Sequence, residues 1–503
     1  MNAPFAATTL EQIRSELAAK PTGLFIDGKF VPALSGETFE VEDPSTAQIF
    51  AHSAAGDAAD VDLAVKAARR AFEGPWGKMT PAQRARLMIK LADLIERDGD
   101  IIALTESLDN GMPYMMARMG MIPGAAEQLR YNAGWATKLH GETITPSWPG
   151  EWQTLTFREA IGVVGAIVPW NVPFMMTVAK LAPILAAGCT VVLKPAEQTP
   201  LSAVHLGKLI AEAGFPEGTV NFITGFGETA GAAIVDHPGI DKVTFTGSTE
   251  VGKMIVRNST GNLKRVSLEL GGKSPCVIFA DADLDKAIPG AAASIFGNAG
   301  QVCAAGSRLF VHEKVYDQVV EGIQNRARTI KVGSGLQPGT EMGPVVSAEQ
   351  LERVLGYIET GAGEGATVGV GGGRLEGEGY NSGYFVKPTV LTGTVSGMRV
   401  VEEEIFGPVL CAMRFGDDDL DTIGAKANAT QYGLSSNIWT RDLVNALGLA
   451  KRIKAGLVRI NGGPGLDPAL PFGGFKQSGW GRENGKSGAE SYTELKSVTI
   501  ALA

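Results

Sequence analysis

The sequence predicts an α/β protein built on parallel sheets. Between residues 162 and 272, short apolar runs alternate with stretches of helical character, and a second alternating run begins at residue 276. The apolar runs are continuous, as in strands covered by helices on both faces. Glycines stand just past two of the helical stretches, where a helix can end. The chain has 503 residues, 44% of them apolar and 20% charged, enough for about three domains and a large core.

The first 20 residues lack a basic patch followed by an apolar core. They read as a polar lead-in with a short helix that Thr9-Leu10-Glu11-Gln12 can cap, rather than as a signal peptide. In the first alternating run, strands are predicted at 163–168, 190–193, 220–223, 243–245 and 266–270. Helices are predicted at 177–187, 202–213, 228–236 and 250–257, the first two ended by Gly188 and Gly214. The second run gives strands at 276–279 and 309–311 and helices at 283–296 and 316–330, with a break or kink at Pro289-Gly290. The boundary between the two α/β units falls near Gly271-Gly272. Residues 361–383 are rich in glycine and read as loop and turn. The last segment, 489–503, reads as a strand with one apolar face that can add to another sheet, in this chain or in a partner.

Composition narrows the function. A net charge of −9 and a pI near 5.3 argue against nucleic acid and against an anionic membrane as partners. The longest apolar stretch, 181–193, is interrupted by Pro183 and Gly188 and is too short to span a bilayer. Four scattered cysteines without a CxxC fit a reducing, cytoplasmic setting, and five scattered histidines offer no metal spacing. The 65 glycines are about twice the number that average usage of roughly 7% would give, as phosphate-binding turns would require.

Several residues carry chemistry, each beside a plainer role. Cys303 lies in Gly300-Gln301-Val302-Cys303-Ala304-Ala305-Gly306, where small flanks favour access to the thiol. It is either a packed small hydrophobe or a nucleophile. Glu269 ends an apolar strand and is either a solvated rim residue or a base at the ligand-binding edge of a parallel sheet. Pro169-Trp170-Asn171 follows another strand, as a turn or as an amide donor for an oxyanion. Lys194 and Glu197 form either a surface charge pair or a grip on the hydroxyls of an adenosine ribose, where the acid favours NAD over NADP. Two glycine patterns, from Gly225 to Ala230 and from Gly247 to Gly252, compete for phosphates, and both also fit simple tight turns.

Taken in order, these motifs resemble the aldehyde dehydrogenase superfamily over nearly the whole chain. The resemblance includes Leu108-Asp109-Asn110-Gly111-Met112-Pro113, Lys194-Pro195-Ala196-Glu197, Phe245-Thr246-Gly247-Ser248 and Glu269-Leu270-Gly271-Gly272-Lys273. It continues through the Cys303 loop, Glu404-Ile405-Phe406-Gly407-Pro408 and Pro471-Phe472-Gly473-Gly474. It implies a Rossmann-type NAD-binding domain (1–138 and 158–271), an α/β catalytic domain (272–480) and a small β oligomerisation extension (139–157 and 481–503). It also implies that Cys303 attacks an aldehyde, that Asn171 and the Cys303 N–H hold the oxyanion, and that Glu269 activates the water that hydrolyses the thioester. Glu269 speaks for release of the free acid, because relatives that pass the acyl group to coenzyme A typically lack it.

The same resemblance maps the NAD site. Lys194 and Glu197 correspond to the adenosine ribose, Trp170, Gly247 and Ser248 to the pyrophosphate region, and Glu404 and Phe406 to the nicotinamide end. Val172, Met175, Met176, Ala179, Val302, Ala304, Leu466 and Phe472 correspond to the substrate tunnel. With no Arg or Lys among them, a medium or long aliphatic, terpenoid or aromatic aldehyde is expected. A homodimer, or a tetramer of two dimers, is expected as well.

Overall fold

A computed structural model describes residues 5–462 and 467–502. Its main sheet has eight strands, in the order Gly479–Trp480, Arg265–Glu269, Lys242–Thr246, Val163–Ile167, Thr190–Lys194, Val220–Phe222, Leu24–Ile26 and Lys29–Val31. The five strands from Arg265–Glu269 to Val220–Phe222 are mutually parallel, and the outer ones are antiparallel additions. Chain order runs outward from Val163–Ile167 through Thr190–Lys194 to Val220–Phe222. It then returns to place Lys242–Thr246 on the other side of Val163–Ile167. That reversal is a topological switch point, where ligands bind outside the carboxyl ends of the strands.

The strands are apolar throughout because both faces are covered. Val164, Ala166, Val191 and Leu193 enter the core on one face, and Val163 and Val192 enter the core on the other. The first core is closed by Pro81–Arg97, Gly99–Asp109, Ile122–Ala133, Pro173–Ala187 and Leu201–Ala213, the second by Ala58–Glu73, Ala232–Asp236 and Thr249–Asn258. Pro173–Ala187 and Leu201–Ala213 end at Gly188 (φ +91°) and Gly214 (φ +90°), in the left-handed region as the sequence requires.

A second sheet of seven strands runs in the order Thr367–Val370, Thr389–Thr392, Val409–Phe415, Arg308–His312, Pro275–Ile278, Ser435–Trp439 and Leu457–Ile460. Apart from Thr367–Val370 it is parallel. Thr493–Ala501 pairs antiparallel with Trp152–Ala160 over nine residue pairs, and Thr143–Ile144 adds a third strand. No helix among the described residues is long and apolar enough to cross a membrane.

Four local expectations change. The first helix, Ala7–Ala19, starts ahead of Thr9, with Ala6 at its N-cap and no side-chain cap. Residues 361–383 are not all loop: Thr367–Val370 is an edge strand, hidden in the sequence by its glycine and its length of four. The helix Leu284–Phe296 runs uninterrupted through Pro289, which sits in its second turn and forfeits a single backbone bond. The helix predicted from residue 177 begins at Pro173, a residue pre-set for a first turn.

Candidate active site

Because the central strands are parallel, everything that follows them meets along one edge. Trp170 and Asn171 follow Val163–Ile167, Glu197 follows Thr190–Lys194, Gly247 and Ser248 follow Lys242–Thr246, and Glu269 closes Arg265–Glu269. The second sheet presents its opposite edge. The Cys303 loop leads into Arg308–His312, and Glu404 and Phe406 lead into Val409–Phe415. Backbone contact joins the two edges, since a Cβ on Gly272 would stand 2.1 Å from the Cys303 carbonyl oxygen.

The Cys303 loop is held from several sides. Asn298, Ala299 and Gly300 take positive φ in succession (51°, 53° and 70°), a conformation costly for alanine but tolerated by asparagine. The Asn298 amide donates to the Asn171 carbonyl (2.8 Å), and the Asn171 amide donates to the Gln301 carbonyl (2.8 Å). The Gln301 side chain in turn accepts the Val346 N–H (2.9 Å). Asn171 is thereby fixed two residues from Cys303 with one amide hydrogen left to donate.

Cys189, Cys276 and Cys411 are buried, whereas Cys303 is half-buried. Desolvation pushes the Cys303 thiol up to about 12, with the nearby charges of Glu404 and Glu269 adding and the Ala304 and Cys303 N–H groups opposing.

Glu269 is almost wholly buried, and its Oε2 has no hydrogen-bond partner. Burial raises it well above the usual carboxylate range, the negative charge of Glu483 raises it further, and Lys180 and Arg482 pull it back. Lys180 comes from the buried side of the helix Pro173–Ala187, pairs with Glu483 and donates to Thr244 Oγ1 (3.0 Å). Glu483 is held in turn by Phe472, which exchanges two backbone hydrogen bonds with it (2.8 and 2.7 Å).

The expected cofactor residues stand at or just beyond the ends of the central parallel strands, apart from Glu404 and Phe406, which precede Val409–Phe415. Lys194 is buried, with Nζ 2.8 Å from Glu197 Oε2. Ser248 caps the helix Thr249–Asn258 by accepting the Val251 N–H, leaving earlier N–H groups of that first turn to face an anion. Glu404 accepts the Gly272 N–H (2.8 Å), and its other oxygen lies 2.4 Å from where a Gly271 side chain would begin, so a side chain there would displace the Glu404 carboxylate. Burial lifts Glu404 to about 7 against that hydrogen bond. Phe406, at φ +60°, meets Trp170 edge-on with ring centres 5.2 Å apart. Gly225 has a packing role at its own turn, since a Cβ there would stand 2.6 Å from the Gly56 carbonyl oxygen.

Val172, Met175, Met176 and Ala179 fall at helical spacing and are all half-buried, while Phe174, Thr177 and Val178 between them are buried. Val302 and Ala304 flank Cys303 and are also half-buried, and Phe472 is buried beside Glu483. Leu466 lies outside the described residues. Two large cavities, about 950 and about 800 Å³, are lined by none of the expected site residues.

The model of the aldehyde dehydrogenase family matches residues 30–498. The chain belongs to that family. An aldehyde dehydrogenase of Emericella nidulans is 49% identical over 485 residues, covering 96% of each chain. Aldehyde dehydrogenase 1A1 of Mus musculus is 48% identical over 493 residues, covering 97% of each. Among solved structures, an NAD+ complex of an aldehyde dehydrogenase from Bacillus cereus superposes with a TM-score of 0.95 at 48% identity over the full length of both chains.

Three residues that hold the candidate site together carry little sign in the sequence. Lys180 and Glu483 are 303 positions apart and meet only in the fold. Asn298 carried a faint signal, an asparagine between glycines where a left-handed turn is possible. Replacing Glu483 by Gln removes a charge that raises Glu269 and leaves Lys180 free to lower it, so Glu269 titrates at lower pH. For any step that needs ionised Glu269, the rate climbs with pH through that titration, and in Glu483→Gln the acidic limb moves to lower pH. A pH–rate profile of the variant checks this, and an unmoved limb would show that Glu483 does not act on Glu269.

Proposed function

We propose that the enzyme oxidises an apolar medium- or long-chain, terpenoid or aromatic aldehyde to the acid through a thioester on Cys303. The observation that carries this reading is the convergence of three groups. A half-buried thiol stands in a loop to which an amide donor is locked, and a buried carboxylate with a free oxygen closes Arg265–Glu269.

Cys303 attacks the carbonyl carbon and forms a C–S bond. The free Asn171 amide hydrogen and the Cys303 N–H hold the oxygen that becomes negative. Lys194 and Glu197 would hold the adenosine ribose, Trp170, Gly247 and Ser248 the pyrophosphate, and Glu404 and Phe406 the nicotinamide end. NAD supplies the hydride acceptor. Glu269, raised by burial and by Glu483, is a better proton acceptor than an ordinary carboxylate, and it takes the proton of the water that hydrolyses the thioester.

The apolar face of Val172, Met175, Met176 and Ala179, with Val302, Ala304 and Phe472, lines the approach to the thiol. None of these carries a charge to receive an acidic aldehyde. NADH formation across aldehydes of increasing chain length and ring size tests this, with rates rising with apolar bulk as the expected result and a preference for acidic aldehydes as the contrary one. Ala179→Trp should lower kcat/KM for the bulkiest substrates by about 10- to 100-fold, on the scale of a lost apolar subsite, and leave acetaldehyde within about threefold. An equal loss on both would place Ala179 outside the tunnel.

The domain division we favour is the one expected from the sequence, with NAD binding in 1–138 and 158–271, catalysis in 272–480 and oligomerisation through 139–157 and 481–503. Thr493–Ala501 is largely exposed on both faces, and Ile144, Trp148, Phe157, Leu495 and Ile500 project from this small sheet. Such a surface supports a homodimer or a tetramer of two dimers. Four free thiols support a reducing, cytoplasmic location.

A further inference from the structure

The motif Leu108-Asp109-Asn110 has no part in the chemistry above, yet it touches both halves of the site. The helix Gly99–Asp109 ends in a buried polar cluster of Glu106, Ser107, Asp109 and Asn110, each at most 1% exposed. Glu106 Oε1 accepts the N–H of Phe174 (3.3 Å), in the first turn of Pro173–Ala187. Asp109 Oδ2 accepts the N–H of Leu201 (3.1 Å), the first residue of Leu201–Ala213. Neither of those helices has a side-chain cap of its own. The Asn110 amide donates to the Trp170 carbonyl (2.7 Å), one residue before Asn171.

We propose that Glu106, Asp109 and Asn110 form a single positioning unit. It sets the oxyanion donor Asn171 through Trp170 and Phe174, and the adenosine-binding turn from Lys194 to Thr199 through Leu201. This rests on the roles assigned above to Asn171, Lys194 and Glu197.

The geometry favours positioning over charge. Glu106 and Asp109 form no ion pair among the described residues, and one oxygen of each has no partner. Burial lifts Glu106 to about 7 and Asp109 well above its usual range, with the charge of Glu106 adding to the effect on Asp109. Asp109 Oδ2 accepts only the Leu201 N–H, a role an amide oxygen can take over. Where the chain leaves the cluster, Gly111 (φ +80°) admits no side chain, since a Cβ would lie 2.6 Å from Pro344 Cγ. The segment is thus tied to the catalytic half as well.

Asn110→Ala, Asp109→Ala and Asp109→Asn separate the two arms of the unit. Acylation of Cys303 by an activated aryl ester, read as phenolate release without NAD, reports the oxyanion donor alone. The Kd for NAD, from calorimetric titration, reports the cofactor site. Asn110→Ala should slow ester acylation about tenfold and, acting through Trp170 at the pyrophosphate region, raise the Kd by no more than about twofold, less than Asp109→Ala does. Asp109→Ala should raise the Kd about fivefold, as loss of a helix cap would, and leave ester acylation within about twofold. Asp109→Asn should restore the Kd, because its amide oxygen still accepts the Leu201 N–H. Equal losses in both readouts, no loss in either, or an Asp109→Asn variant as weak as Asp109→Ala would overturn the positioning unit while leaving the catalytic assignments intact. A wild-type enzyme that neither acylates nor binds NAD would remove those assignments first, and the unit with them.

Discussion

Cys303→Ala is expected to abolish NADH formation with every aldehyde, a loss on the order of 10⁴-fold or more, as removal of a nucleophile would give. No other cysteine can substitute, since Cys189, Cys276 and Cys411 are buried in the cores. NAD binding survives, because Lys194, Glu197 and Ser248 are placed by other strands. The thiol at about 12 adds a second consequence. At neutral pH little of it is thiolate, and ionisation must be drawn out by a positive group brought close. Alkylation of Cys303 by iodoacetamide is therefore expected to be slow in the free enzyme and faster when NAD+ is bound, with Cys303→Ala as the unlabelled control. Steady turnover by Cys303→Ala above about 1% of wild type would refute the nucleophile assignment.

Glu269→Gln should give one equivalent of NADH per active site and then slow by about 10² to 10⁴-fold, the range general-base catalysis supplies. Glutamine fills the buried position but takes no proton from water. Rapid-mixing absorbance at saturating aldehyde and NAD separates the two phases. A full burst with a stalled second phase places Glu269 in hydrolysis. A slow first phase without a burst would make Glu269 the base that ionises Cys303 instead, and undiminished turnover would remove it from the mechanism. Neutralising Glu269 also takes away a charge that raises Cys303, so the burst itself should be no slower than in wild type.

Much of this site was legible because parallel sheets collect function at strand ends. Asn171, Glu197, Ser248 and Glu269 each stand at or just beyond the end of a continuous apolar run, and one rule of topology brings all four to the same edge. Resemblance to a family added what the residues left open, namely which of the two glycine patterns faces the cofactor and what Glu404 and Phe406 are for. Lys180 was not legible. It lies in an apolar helix, where its charge looks like an exception, and its partner Glu483 follows a glycine-rich stretch hundreds of residues later. Thr367–Val370 was lost for the opposite reason, because a four-residue strand that pairs at a sheet edge needs little pattern of its own. The engagement of the Asn171 amide with the Gln301 carbonyl depends on three successive left-handed residues, which no periodicity announces.

The thioester is most directly tested by its mass. Glu269→Gln, mixed with NAD and a long-chain aldehyde and quenched in acid after the burst, should gain the mass of the acyl group in place of one hydrogen. Proteolysis should locate that gain on the peptide containing Cys303, and Cys303→Ala/Glu269→Gln should show none. An unmodified Cys303 peptide after one equivalent of NADH has formed, or an adduct on another residue, would contradict the Cys303–Glu269 mechanism.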